Sequence, residues 1–353
     1  MLLPVTQIAG NTHIRRVQVL PLPGRVHVKP GQRVRATDVI AETFNYGKHH
    51  LLDIRKTLGI PMLDDASLRI NIHVGESVEK GQVIAQTGGF IPKTLRSPVT
   101  GYIAAIQRGQ ILIETAGDKI DLQAGINGMV MEVFDEYGAA IEGNGAYIQG
   151  VWGNGKIGIG PLRMICRDFF EELTPEQITV DLAGSIAVGG YLARPEALAS
   201  AAKAQVAGLI LAGMCSSVME DATKASFPIL LVEGFGHLSM NILSLKLLLN
   251  HEGDEAVLNA QILPEINKKA DLMIPQREPA QPGLLAMPMK KGQIAKIIAP
   301  PYSGTVGLIE QVNFSSTEFE EGYRSPTAAL KIDESNTLTV PLSNLMLVDY
   351  LLE

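Results

Sequence analysis

Hydrophobic and turn-forming positions in the first half of the chain recur in a fixed phrase. One copy reads Val28-Lys-Pro-Gly31-Gln-Arg-Val34, followed by Val39-Ile40-Ala41-Glu-Thr43. The second, at an offset of 44 residues, reads Ile72-His-Val-Gly75-Glu-Ser-Val78, followed by Val83-Ile84-Ala85-Gln-Thr87. In each copy a strand ends, a glycine takes the turn and a valine points inward. A second turn follows, at Ala36-Thr37 or Lys80-Gly81, and an apolar strand returns. That pattern predicts a compact β unit. Such a unit is too small to bury its own apolar face, so the two copies are expected to interlock over a shared one. A companion phrase occurs three times, at Pro98-Val-Thr-Gly101-Tyr-Ile103, Gly125-Ile-Asn-Gly128-Met-Val130 and Pro301-Tyr-Ser-Gly304-Thr-Val306. Each predicts a tight turn and a strand start, with glycine where a positive φ is needed.

After Arg163 the period changes. Short apolar runs at Ser185–Gly189, Leu209–Gly213 and Pro228–Val232 predict strands. Helices are expected from Pro195, whose missing N–H costs nothing in a first turn, to near Gly208, over Met219–Ala225, and from an N-cap at Ser239 to Asn250. Glu255-Ala-Val-Leu258 adds a candidate fourth strand. This alternation predicts a parallel sheet covered by helices. The stretch Ala270–Gly292, with Pro275, Pro279, Pro282 and Pro288, reads as a linker or strap. The segments that follow, Ile294–Ala299, Thr327–Ile332 and Thr337–Pro341, have the pattern of a small antiparallel barrel. The last apolar stretch, Pro341–Val348, must pack on that barrel or on a partner. The expected organisation is therefore a β domain over residues 1–160, an α/β domain over 161–265, a Pro-rich linker over 266–292 and a β barrel over 293–353.

Composition narrows the function classes. The 353 residues carry a net charge of −7, which argues against a nucleic-acid binder held by phosphate contacts. The charge is uneven: residues 1–60 hold nine Lys/Arg and three Asp/Glu, a net of +6, which leaves −13 for the rest. Residues 293–353 carry three Lys/Arg against eight Asp/Glu, so the terminal barrel is not a nucleic-acid module either. Such asymmetry is either a solvated face or a means of pairing unlike ends of neighbouring copies, and the second reading suggests self-association. Cys166 and Cys215 stand in different segments without CxxC spacing, so neither a disulfide framework nor a zinc site is implied. No apolar run reaches membrane-span length and the N-terminus lacks a signal-peptide pattern, so a cytoplasmic location is expected.

The repeat, together with Ser97-Pro-Val-Thr-Gly-Tyr-Ile103, resembles the barrel-sandwich hybrid domains over residues 17–150. These include biotinyl and lipoyl carrier domains, adaptor domains of efflux pumps and the first domain of an Rnf-type electron-transport subunit. The resemblance implies a barrel-sandwich hybrid fold and, in its carrier members, a modified lysine. The nearest candidate is Lys93, in Phe90-Ile-Pro-Lys93-Thr-Leu-Arg96. It lacks the flanking residues of a modified lysine and lies close to the Pro98–Gly101 turn. Taken end to end, the repeat, Gln149-Gly-Val-Trp-Gly153, Val232-Glu-Gly-Phe-Gly236 and Val340-Pro-Leu-Ser-Asn-Leu345 also resemble a bacterial family that brings no activity with it. The fold class expected is multidomain β plus α/β: a barrel-sandwich hybrid, a Rossmann-like three-layer domain and a small SH3-like barrel.

Candidate chemistry concentrates at the strand ends of the α/β segment, where open parallel sheets bind ligands near a topological switch. Gly189, Gly190, Gly213, Gly234 and Gly236 fall there, with Glu233 and His237 in a loop feeding a helix N-terminus, a setting that suits a small anion. Cys215 and His237 form a nucleophile and base in principle if their strand ends are adjacent. His49-His50 with Asp53 lacks the second ligand set a metal needs. The glycine-rich Val151–Lys156 offers an anion nest or, more simply, turns that close the β domain. No cofactor, metal or catalytic residue is assigned. The leading expectation is a non-catalytic scaffold or adaptor-like protein that self-associates. The alternatives are a small-ligand-binding protein or enzyme using the strand ends, and a prosthetic-group carrier.

Overall fold

The computed structural model describes residues 2–45, 47–59, 69–88, 91–166, 170–262, 269–283, 286–319 and 322–351. The protein is mostly β, with 48% strand against 13% helix, and its principal sheet mixes parallel and antiparallel pairs. Multiple β units joined to an α/β layer are thus present, as the sequence pattern indicates.

The two repeat copies do not interlock with each other. Each pairs with its own companion phrase. In the first, Arg33 and Val34 face Met129 and Gly128, and the Gly31 N–H donates to the Val130 carbonyl at 2.7 Å. In the second, Ser77 and Val78 face Tyr102 and Gly101, and the Gly75 N–H donates to the Ile103 carbonyl at 2.8 Å. Both glycines sit at positive φ, +81° and +87°, where an L side chain is strained. In both turns the following side chain, Gln32 or Glu76, accepts from the backbone N–H of Lys29 or His73. The same turn recurs at Glu79–Gln82 and at Lys290–Gln293, the latter a copy in the C-terminal segment that the sequence reading passes over. A unit and its companion pair through the same strands in both copies, so pairing is completed within each unit rather than between the two. The first unit's companion lies beyond the whole second unit, and one module is therefore nested inside the other.

The nested, distal module has its own core, built from Ile54, Ile72, Ile84, Ile103, Ile111 and Ile113. One of its sheets orders His49–Asp53, Gln110–Glu114, Gly101–Gln107 and Ser77–Val78; the other orders Arg69–Ile70, Val83–Gln86 and Thr94–Arg96. A short helix, Ile54–Leu58, is capped by Asp53, whose carboxylate accepts from the Lys56 N–H. The module joins the rest through a two-stranded neck: Asn45 N–H donates to Asp118 O at 2.9 Å, and Thr115 N–H to Lys48 O at 3.0 Å. The crossing is so close that a Cβ on Gly47 would lie 1.7 Å from the Thr115 carbonyl oxygen. Beyond the neck, no other described element packs extensively on the module.

The inner module has no such independence. Val34, Ile40, Ile126, Val130 and Ile141 pack with Val257 and Met273, which belong to strands Glu255–Asn259 and Asp271–Pro275 of the body. The stretch read as a linker thus supplies a strand that pairs with both Gly138–Gln149 and Glu255–Asn259. Asp271 at its start is buried and ion-paired to Arg16 at 2.6 Å, which gives a charged residue a place inside the sheet.

The first strand, Leu2–Val19, ties the ends of the chain together. It runs antiparallel to Gly138–Gln149 and, over Val5–Ala9, parallel to Leu345–Leu351. The final apolar segment therefore packs against the N-terminal strand as well as against Ile294–Ile297. The C-terminal segment completes its own core with Val306–Glu318, Arg324–Lys331 and Thr337–Pro341, around Ile309, Leu330 and Leu347.

In the α/β layer Ile186–Leu192, Gly208–Met214 and Ile229–Phe235 are parallel and adjacent in chain order, with the end of Ile157–Met164 alongside the first. One face carries Glu196–Ala204 and Met219–Lys224, the other Ile242–Asn250 and the β body. Glu255–Asn259 is a strand, but it pairs antiparallel with Ile157–Met164. The last helix is capped by Asn241 rather than Ser239, because the Asn241 carboxamide accepts from Ser244 N–H and donates to Glu233. The Glu196–Ala204 helix ends at Gln205 in a left-handed conformation, so Gly208 is released to begin the next strand.

Candidate functional site

The parallel strands run past Gly189, Gly190, Gly213 and Gly234, and only Gly236 lies beyond its strand. Gly189 and Gly190 lie inside Ile186–Leu192, and a Cβ on Gly189 would press on the Leu173 side chain at 3.1 Å. Gly190 N–H points at the buried Cys166 sulfur at 3.4 Å. Gly213 is where the return loop passes: a Cβ there would lie 2.4 Å from the Gly236 carbonyl oxygen. Gly234 and Gly236 take positive φ values of +141° and +120° as the chain leaves the sheet. Gly189 and Gly213 thus serve close packing, and Gly190 directs its N–H at Cys166. The parallel strands also follow one another in chain order, so no strand-order reversal opens a crevice between them.

Glu233 and His237 do not converge on a common space. The Glu233 side chain is 1% exposed. One oxygen accepts from the Asn241 backbone N–H at 3.0 Å and from its carboxamide at 2.6 Å; the other is ion-paired with the equally buried Lys296 of the C-terminal segment. Glu233 therefore caps the approach to the last helix and bolts the α/β layer to the C-terminal strands. Gly304, from the third companion phrase, covers it, with the Glu233 carboxylate 3.4 Å from its Cβ position. His237 faces the other way. Its Nε2–H donates to the Phe170 carbonyl at 2.7 Å, and its ring lies 4.6 Å from that of Tyr191.

Tyr191 links His237 to Cys215. Burial, and then a hydrogen bond with the Cys215 sulfur, raise the Tyr191 hydroxyl above its ordinary pKa. The Cys215 thiol is lowered, first by the Ser217 hydroxyl 3.1 Å away, then by the Ser217 backbone N–H, with Tyr191 adding to both against a partial burial cost. The result is a half-exposed thiol, more acidic than usual, at the end of the second parallel strand. Its described partners are Ser217 and Tyr191, not His237, so the contact a nucleophile and base require is not made.

The remaining candidates have structural partners. Lys93 donates its ammonium to the Leu58 carbonyl at 3.2 Å, at the end of the short distal helix. His49 lies 3.5 Å from Glu114, Asp53 caps a helix, and no group of three metal-ligating side chains comes together among the described residues. In the glycine-rich junction, Asn154 donates to the Ala222 and Phe227 carbonyls and accepts from Ile229 N–H, which pins the turn to the α/β layer. Trp152 packs edge-on against Phe235, with centroids 6.0 Å apart. Among the described residues, no helix is long and apolar enough to cross a membrane.

A cleft of about 800 Å³ opens elsewhere, between the inner module and the body, lined by Arg33, Arg35 and Arg277. The excess of positive charge in residues 1–60 is the trace of it in the sequence; Arg277, far along the chain, carries no local sign of belonging with the other two.

No protein-family model matches the chain, and no curated protein does.

Proposed function

We propose that the protein is a non-catalytic interaction or assembly protein of the scaffold or adaptor type, and that it self-associates. The observation that carries this reading is the distal module: a β unit with its own core, held on a two-stranded neck, with no extended packing on the body among the described residues. A module built this way contributes little to the body's core, and its exposed apolar side chains, Leu51, Val74 and Ile91, are available to a partner surface. The uneven charge supports the same reading, since unlike faces of two copies attract. Within this reading the two nested modules are barrel-sandwich hybrids, the helix-flanked sheet is Rossmann-like and the C-terminal strands form an SH3-like barrel. The matching register at Gly31/Val130 and Gly75/Ile103 supports the first of these.

Light scattering of the full chain across salt concentration tests the proposal. An oligomer is expected at low salt, weakened by Leu51→Asp with Val74→Asp; a strict monomer under all conditions overturns self-association. A second reading, a ligand site or enzyme at the strand ends, draws on the Cys215–Tyr191–Ser217 contacts. The carrier reading draws on Lys93 alone, and intact mass decides it, because attached biotin or lipoate adds mass to the chain.

A further inference from the structure

The cleft between the inner module and the body is lined by Arg33, Arg35 and Arg277, against one carboxylate among the described residues, Asp38. That is a concentration of positive charge in a chain whose net charge is −7. Asp38 is committed to the turn, where it accepts from the Arg35 backbone N–H at 2.8 Å. Arg35 reaches Glu255 at 3.4 Å across an exposed pair, while no ion pair is described for Arg33 or Arg277 among the described residues. Asn127 also lines the cleft, its carboxamide oxygen taken by the Ala36 N–H at 2.8 Å.

The distal module supplies an internal control for what the fold itself requires. With the repeat offset of 44 residues, Arg33 corresponds to Ser77 and Arg35 to Glu79. Both copies make the same glycine turn and the same strand pairing, so the turn does not need arginine at either position. The guanidinium groups are specific to the copy that faces the cleft, and Arg277 reaches the same space from beyond strand Asp271–Pro275.

We infer that this cleft is a binding site for a small, multiply charged anion bearing phosphate or carboxylate groups. Guanidinium forks match both groups in geometry and charge. Among the described residues the lining contains no aromatic ring to serve as a stacking platform for a nucleobase. The site is separate from the strand ends and does not rest on the assembly reading.

Calorimetric titration of the full chain with inorganic pyrophosphate and, separately, with citrate tests it and distinguishes the phosphate from the carboxylate source. Saturable binding of one or both is expected, weaker at high salt. The pair Arg33→Ser with Arg277→Gln is expected to weaken it by about tenfold or more. Arg33→Ser installs the residue the distal copy carries at that place, so the β unit is expected to fold. Arg25→Ser, a basic residue outside the lining, is expected to leave binding unchanged. Absence of saturable heat with both anions overturns the inference. So does binding unaffected by the cleft pair, or an equal loss in the Arg25 control.

Discussion

The inner and distal modules share turns, companion phrase and strand register, yet they differ in what they lean on. The inner core includes Val257 and Met273 of the body, and Arg16 of the first strand reaches past it to a buried ion pair with Asp271. The distal core closes on itself, and its ion pairs, His49–Glu114 and His73–Glu76, are at the surface. A local β rule thus makes a module, and the chain around it decides whether that module is a structural hub or an appendage. Chemistry follows the same split, since arginines stand at the hub where the appendage has Ser77 and Glu79.

The largest way to break the comparison is through Arg16. Arg16→Met removes the cation from the buried Asp271 carboxyl, which keeps the Tyr147 hydroxyl as a donor, with a cost of about 3–5 kcal/mol expected in thermal or denaturant unfolding of the body. Glu76→Gln in the distal module removes only the exposed pair with His73, keeps an acceptor for the His73 N–H as Gln32 does for Lys29, and is expected to cost less than about 1 kcal/mol. Next come Ile40→Ala and Ile84→Ala, equivalent positions that are both fully buried. Each is expected to cost about 2–5 kcal/mol, but hydrogen exchange separates them: Ile84→Ala loosens only the described strands of the distal module, whereas Ile40→Ala also loosens strands Glu255–Asn259 and Asp271–Pro275. A body that loosens with Ile84→Ala would remove the distinction.

Smaller effects sharpen what the modules have in common. Gly31→Ala and Gly75→Ala place a Cβ in open space at positive φ, so both are expected to cost the same, about 1–2 kcal/mol of backbone strain. The smallest effect depends on pH. Glu42 is held below its ordinary value of 4.5, chiefly by the Lys119 ammonium 2.8 Å away, with His27 adding to it. Its folded pKa is depressed, so its contribution is present above about pH 4.5 and lost as pH falls through the lower folded value. The repeat equivalent is Gln86, which does not titrate. A small melting-temperature difference between the wild type and Glu42→Gln is expected at neutral pH and is expected to vanish in acid.

Much of this was legible in the sequence. Glycine at the turns, valine one strand step on and the returning Val-Ile-Ala run are local signals, and the three parallel strands and the short helix Met219–Lys224 fall close to where periodicity puts them. What misled was distance along the chain. The repeat copies look like partners because they are alike, whereas pairing depends on which companion closes the strand set. The Pro-rich composition of Ala270–Gly292 hid the short apolar run Leu272-Met-Ile274, which is buried throughout, and the charged residue before it, Asp271, meets Arg16. Glu233 reads as a loop carboxylate beside a helix start. Lys296, far along the chain, makes it a buried bolt between layers.

By itself, then, the sequence determined the turn chemistry, the modular β character and the helix-flanked parallel strands, because each rests on interactions between residues close in the chain. The tertiary structure alone decided that one module nests within the other, that the chain ends share a sheet, that Glu233 is spent on Lys296 and that Arg277 joins Arg33 and Arg35 around a cleft. Those are encounters between distant segments, set by which buried faces and charges must be completed together, and no local pattern records them.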